Sequence, residues 1–263
     1  MVKVSILRVE KPDVKRAIDL IDFSPREGET VVIKTNFCAS YPGMDGSPMD
    51  LRILGQLLQM FENIYGERIV VDNSCPGRSA EEVFESYGVR DVCNYYGASL
   101  VDLGEDIHIP VKREFRVLRD LKLPRTLLKA DALVNISVMK TSQLTGVALI
   151  LKNIFDLIPE GSSRYPSKIE DAICDILRFK KPDLNIIDGI TAIEGNRPKK
   201  MNLLLASEDP VALDTVSCKV MGINPTMIEH IVKPGFYNLG ETLMQRIEVM
   251  GERIGQVRKR FIY

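Results

Sequence analysis

Lysines, asparagines and carboxylates sit in this sequence at places where a buried core has no use for them. Lys34 and Asn36 follow Val31-Val32-Ile33, and Asp72 follows Ile69-Val70-Val71. Asn135 interrupts the apolar run from Ala132 to Val138, and Lys140-Thr141 come just after it. Asp188-Gly189 close the run Leu184 to Ile187, and Ser207-Glu208-Asp209 close Leu203 to Ala206. Lysine ammonium groups bind carboxylate or phosphate groups as point charges. Carboxylates among them can hold a hard cation such as Mg²⁺, which takes oxygen ligands. They can also give and take protons, with a pKa tuned by burial and by the lysines. The residue types leave this choice open.

The stretch Thr145 to Ile158, TGVALILKNIFDLI, adds to the set. It reads as a helix that is apolar almost all round and therefore buried. Its polar members, Thr145, Lys152, Asn153 and Asp156, fall near one face at helical spacing. Lys152 either pairs with Asp156 or points to the rim and meets an anionic ligand. The rim is favoured, because Lys before Asp is the weaker orientation for an intrahelical pair. Asp214 lies in the apolar helix start Val211 to Val216, where a carboxylate is either dipole-stabilised or functional. The candidate catalytic residues are Lys140, Lys152, Asp188 and Asp214. The candidate ligand-binding residues are Lys34, Asn36, Asp72, Asn135, Thr141, Thr145, Asn153 and Glu194. A metal would use Asp188, Glu194 and Asp209. Plainer roles compete: Asp209 before Pro210 suits an N-cap, and Asp72 and Asp188-Gly189 suit turns.

The elements that position these residues follow from the apolar pattern. Short Val/Ile/Leu runs predict buried strands at Val31 to Ile33, Ile69 to Val71, Ala132 to Val138, Leu184 to Ile187 and Leu203 to Ala206. Further strands are expected at Lys3 to Val9 and Ser99 to Leu103. Helices are expected from Asp50 to Tyr65, opened by Ser47-Pro48, and after the capping box Ser79-Ala80-Glu81-Glu82. Asp209-Pro210 opens another, and the last runs from Glu241 to Val257. Strand and helix in alternation predict an α/β fold: a mainly parallel, Rossmann-like sheet with helices on both faces. A small antiparallel excursion is expected between Gly104 and Lys122. No linker divides residues 1–263, which read as a single domain. In open parallel sheets the ligand crevice lies outside the carboxyl ends of the strands, so the five strand ends should line one rim.

These motifs also carry a resemblance. Lys34-x-Asn36, Asn135 followed by Lys140-Thr141, Thr145-Gly146 followed by Lys152-Asn153, Asp188-Gly189 followed by Glu194-Gly195 and Pro198, and Asp209-Pro210-Val211-Ala212-x-Asp214 stand in that order. In this the chain, from about Val31 to Ile231, resembles the domain of unknown function 362 family. The resemblance implies the fold and the site but no established reaction. Some members are described as iron-sulfur centre proteins, often with a separate ferredoxin-like module that this sequence lacks. The family's usual His after Lys-Thr is Ser142 here, and its Gly before the Pro of the Glu-Gly segment is Arg197.

Composition narrows the partners. The chain has 263 residues, with 35 Lys+Arg against 36 Asp+Glu, which gives no global field to attract nucleic acid or anionic lipid. The basic cluster Lys112, Arg113, Arg116, Arg119 and Lys122 reads as a solvated face. The apolar stretches are too short to span a bilayer, and the charged start MVKVSILRVEKPD does not resemble a signal peptide. A cytoplasmic protein without a nucleic-acid or membrane partner is expected; a homo-oligomer stays open. No Walker loop and no Gly-x-Gly-x-x-Gly after a strand occurs, and His108 and His230 lie outside the rim motifs. Of the five cysteines, Cys93, Cys174 and Cys218 read as buried thiols. Cys38 and Cys75 lie just past strand ends. Two thiolates cannot hold a Cys₄ iron-sulfur cluster within one chain, but a shared cluster or a disulfide between them stays open. Three readings therefore stand: an enzyme-like site for a small anion with or without a divalent metal, a redox protein using Cys38 and Cys75, and a non-catalytic binding or scaffold protein.

Overall fold

The structure, a computed structural model, describes residues 1–37, 49–74, 78–158, 165 and 167–262. In chain order the strands are β1 (Val2–Arg8), β2 (Gly28–Lys34), β3 (Tyr65–Asp72), β4 (Ser99–Asp102), β5 (His108–Pro110), β6 (Lys122–Pro124), β7 (Ala132–Ser142), β8 (Gly146–Ala148), β9 (Leu184–Glu194), β10 (Arg197–Ser207) and β11 (Ile247–Gly251). All but β5 and β6 join one nine-stranded sheet, ordered β11-β1-β10-β9-β7-β2-β3-β4, with β8 on the end of β7. From β9 through β7, β2 and β3 to β4 every pairing is parallel. The small excursion is the antiparallel pair β5–β6.

Both faces of the sheet are covered, which is why its central strands are apolar on consecutive residues rather than on alternate ones. Val31, Ile33, Val134, Ile186 and Leu204 face α1 (Val14–Asp19), α2 (Leu51–Met60), α3 (Ala80–Ser86) and α4 (Val89–Tyr96). Val32, Leu133, Ile187 and Leu205 face the other layer. That layer comprises α5 (Arg125–Lys129), α6 (Ile150–Phe155), α7 (Ile169–Phe179), α8 (Pro210–Val220), α9 (Glu229–Phe236) and α10 (Ile254–Val257). Each fully buried Val, Leu or Ile contributes about 1.5–3 kcal/mol. The capping box at Ser79 and Glu82 forms as expected, as does the Asp209 cap of α8. Among the described residues no helix is long and apolar enough to cross a membrane.

Four expectations need correction. The segment from Glu241 to Val257 is not one helix. It is a 3₁₀ turn (Met244–Arg246), then β11, then α10. Its apolar residues fit helical spacing, but Val2 to Ile6 offer a free strand edge, and Ile247 to Gly251 pair with it. In the Thr145–Ile158 segment the helix begins only at Ile150, because Gly146 to Ala148 fold back antiparallel on Ser142 to Lys140. The turn rests on Gly146 at φ +75°, a conformation glycine adopts without strain. Helix α2 is capped by Asp50, whose carboxylate accepts from the Arg52 N–H, and it ends well before Tyr65, which opens β3. Ser47 and Pro48 lie outside the described residues. Finally, β9 and β10 form a hairpin turned at Gly195 (φ +59°), so β10 runs antiparallel, with Ser207 opposite Asn185. The end of β10 therefore lies at the amino-end rim, not beside the other four strand ends.

Candidate functional site

Four elements converge at the carboxyl ends of β2, β3 and β7. The register places Lys34 beside Val71 on one side and Asn135 on the other. Helix α6 closes over them. Lys34 is 1% exposed, and its ammonium donates to Asp72 Oδ1 (2.6 Å), Thr35 O (2.7 Å) and Asn153 Oδ1 (3.3 Å). All three of its donors are thereby used. Asp72 also accepts the backbone N–H groups of Phe37 (2.7 Å) and Asn73 (2.9 Å) and the Thr35 hydroxyl (3.1 Å). A buried ion pair offsets its desolvation only when extra hydrogen bonds of this kind satisfy both partners.

Asn153 knits the strands together. Its amide nitrogen donates to Asn135 Oδ1 (2.7 Å), Ile136 O (2.9 Å) and Thr35 O (3.2 Å). Its oxygen also accepts from Asn36 Nδ2 (2.7 Å), and Asn135 in turn donates to Ile150 O (3.1 Å). The network is closed on itself except at its outer member. Lys140 donates to Asn36 Oδ1 at 3.0 Å. Among the described residues no carboxylate lies within ion-pairing distance of it. Desolvation pushes its pKa down to about 8, against the pull of Asp156 and Asp72 and with the help of Lys152 and Lys34. The ammonium is desolvated although the residue as a whole keeps some exposed surface.

Lys152 takes the intrahelical option. Its ammonium lies 2.7 Å from Asp156 Oδ1 and 5.2 Å from the centre of the Phe155 ring. The Asp156 backbone carbonyl accepts the Asn73 side-chain amide, which ties the end of α6 to the end of β3. The charges that act on Lys140 are thus Lys34 and Lys152 against Asp72 and Asp156. Including Lys140 itself, three ammonium groups face two carboxylates.

The remaining candidates lie elsewhere. Asp214 is fully buried behind the site and accepts the N–H groups of Ile150 (3.0 Å) and Leu151 (2.9 Å), capping α6 from α8. Burial raises its pKa to about 8, against the two N–H groups, which lower it, and with the help of the nearby Asp209 charge. Asp188 accepts the N–H groups of Asp50 (2.8 Å) and Ile190 (2.9 Å), at the start of α2 and so on the opposite face from α6. Burial raises it to about 6. Thr141 accepts the Gly195 N–H (2.7 Å) at the hairpin tip, and the Thr145 hydroxyl donates to Val147 O (2.8 Å) within its own turn. Glu194 pairs with Lys199 (2.9 Å), which holds its carboxyl below the usual range.

Asp188, Glu194 and Asp209 do not converge. The strand from Asp188 to Glu194 covers roughly 20 Å at ~3.3 Å per residue, and Asp209 lies past the other end of the hairpin. Among the described residues no three His, Cys, Asp or Glu side chains stand close enough to share an ion. Cys38 and Cys75 lie outside the described residues. Cys93, Cys174 and Cys218 are buried free thiols, and burial raises the first two to about 11 and about 12. Thr35, which serves the network as both donor and acceptor, was not among the candidates. Its place between Lys34 and Asn36 was the available signal.

A profile of the domain of unknown function 362 family matches residues 31–219. A thylakoid-associated protein of Synechocystis sp. is 24% identical over 217 residues, a match that covers 77% of this chain and 66% of that protein's length.

Proposed function

Because the chain belongs to the domain of unknown function 362 family, whose name assigns no reaction, we propose a role from the strand-end geometry: it binds a small anionic molecule, a carboxylate or phosphate, at Lys140. The observation that carries this reading is the Lys140 ammonium, desolvated, held by one neutral amide oxygen and without a carboxylate partner among the described residues. A buried cation without a counter-ion is costly, and an arriving anion removes that cost. Asn36 orients the ammonium, and Lys152 offers donors that Asp156 leaves free. In this reading Lys34, Asp72, Asn135 and Asn153 are the scaffold and do not touch the ligand. A divalent cation enters only as part of the ligand, as Mg²⁺ does on a phosphate. With a pKa near 8, Lys140 could also accept a proton from a bound molecule at mildly alkaline pH.

The test is a thermal-shift series with inorganic phosphate, sulfate and citrate against sodium chloride of equal ionic strength. Anion binding to the native state at a hundredfold over Kd raises the melting temperature by roughly 5–10 °C. Lys140→Gln should abolish the rise, and Lys112→Gln on the surface should not. A rise that survives Lys140→Gln, or no rise with any anion, overturns the reading. It would favour the scaffold reading, which draws support from the closed hydrogen-bond set of Lys34.

A further inference from the structure

The opposite rim of the sheet holds a cleft of about 300 Å³. It lies where β2, β3, β7 and β9 begin. Its floor is Tyr65, 4% exposed, whose hydroxyl makes no hydrogen bond among the described residues. Two carboxylates flank it. Asp131 Oδ2 accepts the N–H groups of Glu29 (2.7 Å) and Thr30 (2.8 Å), and Asp183 Oδ2 accepts that of Leu133 (2.9 Å). The backbone thus braces both groups, and among the described residues nothing bonds their Oδ1 atoms. Burial, then the charges of Asp183 and Asp131, raise the Tyr65 pKa and keep the phenol neutral.

Gly28 makes this arrangement fit. A Cβ there would stand 3.0 Å from the Asp131 Cβ and 3.1 Å from Tyr65 Cε1. Glu27 and Glu208 also line the cleft, so four carboxylates face the two cations Arg26 and Lys181. Lys181 is itself turned toward Asp209 at 3.6 Å. Phe23 and Pro182 supply apolar wall.

We propose that this cleft binds a small organic cation, an alkylammonium group whose N–H donors meet Asp131 Oδ1, Asp183 Oδ1 and the Tyr65 hydroxyl. Its alkyl part lies on Phe23 and Pro182, and the volume sits at the small end of ligand pockets. An anion is repelled here, so this site and the Lys140 site take opposite ligands and stand or fall separately.

The test is a thermal-shift and calorimetric titration of the whole chain with cadaverine, with choline and sodium chloride at equal ionic strength as controls. Cadaverine should raise the melting temperature; choline, which has no N–H donor, should act no more than sodium chloride. Asp183→Asn should weaken cadaverine about 10-fold or more, since a charged hydrogen-bond partner is lost. Tyr65→Phe keeps the ring and the fold and should weaken it about threefold or more. Lys140→Gln should leave it unchanged. No cadaverine shift, an equal shift with choline, or a shift indifferent to both variants overturns the proposal.

Discussion

At the carboxyl ends of β2, β3 and β7 charged side chains are sunk into the protein, whereas at the amino ends of the same strands they stand in solvent. Lys34 and Asp72 are each 1% exposed and fully hydrogen-bonded. Asp131 and Asp183 are exposed and, among the described residues, use one oxygen each. Burial makes a partner obligatory for every charge, so the buried rim turns its donors on itself, and among the described residues Lys140 is left without a carboxylate. Solvent makes partners optional, so the exposed rim keeps free valence around a single buried phenol. The same strands therefore present a net positive network at one end and a mostly acidic cleft at the other.

The largest expected effect separates the rims by stability. Asp72→Ala strands the Lys34 ammonium in the interior and should cost about 3–5 kcal/mol in urea unfolding. Asp183→Ala loses a solvated hydrogen bond and should cost about 1 kcal/mol. Equal costs would remove the contrast. Next comes Asp214→Ala, which frees two buried N–H groups and should cost about 1–3 kcal/mol, with faster hydrogen exchange at Ile150 and Leu151. This site also has a pH signature. In the unfolded chain Asp214 ionises near 3.8; in the folded chain it keeps its proton to about 8. Folding takes up a proton in that window, so the contribution of Asp214 is fully present below about 4 and falls as pH rises to 8. Asp214→Asn should flatten that slope.

Lys140→Met is expected within about 1 kcal/mol of the parent, since it removes a desolvated cation that pairs with no carboxylate among the described residues. Between pH 8 and 10.5 the unfolded chain holds the Lys140 proton and the folded chain does not. Stability should therefore rise with pH there, and Lys140→Met should lose that rise. The smallest effect belongs to Lys152→Ala, about 0.3–0.5 kcal/mol for a partly exposed pair within one helix. A much larger loss would mean that Lys152 supports the rim directly.

The sequence showed where the strands lie, because each contains a short apolar run. In β2 and β3 that run ends with the strand, but β7 and β9 continue for 11 residues, so Asn135 and Asp188 stand within strands and not at their ends. Lys34, Asn36, Asp72, Asn135, Lys140 and Asn153 do share one neighbourhood. Strand direction was harder to read. Apolar runs look the same in either direction, and the turn Gly195-Asn196 between two long strands was the only sign of a hairpin. Missing it placed Asp209 at the carboxyl-end rim, which it does not reach, whereas Glu194 follows Ile193, the partner of Lys140. The Glu241–Val257 error has a different cause. Leu243, Ile247, Met250, Ile254 and Val257 keep helical spacing while Ile247 and Val249 alternate as a strand does, and the open edge of β1 decides between the two. The amino-end cleft had no signal at all, since Tyr65, Asp131 and Asp183 open three different strands and meet only in space.

The Asp214 cap also sets an order of assembly. Helix α6 has six residues and costs more to nucleate than it returns alone. Its first N–H groups wait for a carboxylate 64 residues downstream. During synthesis β2, β3 and β7 can form while Asn153 still has no fixed place. The cap of α6 is complete once α8 has emerged and docked, and α6 carries the Asn153 that joins the strands. The region richest in chemistry thus depends on a cap that a later part of the chain supplies.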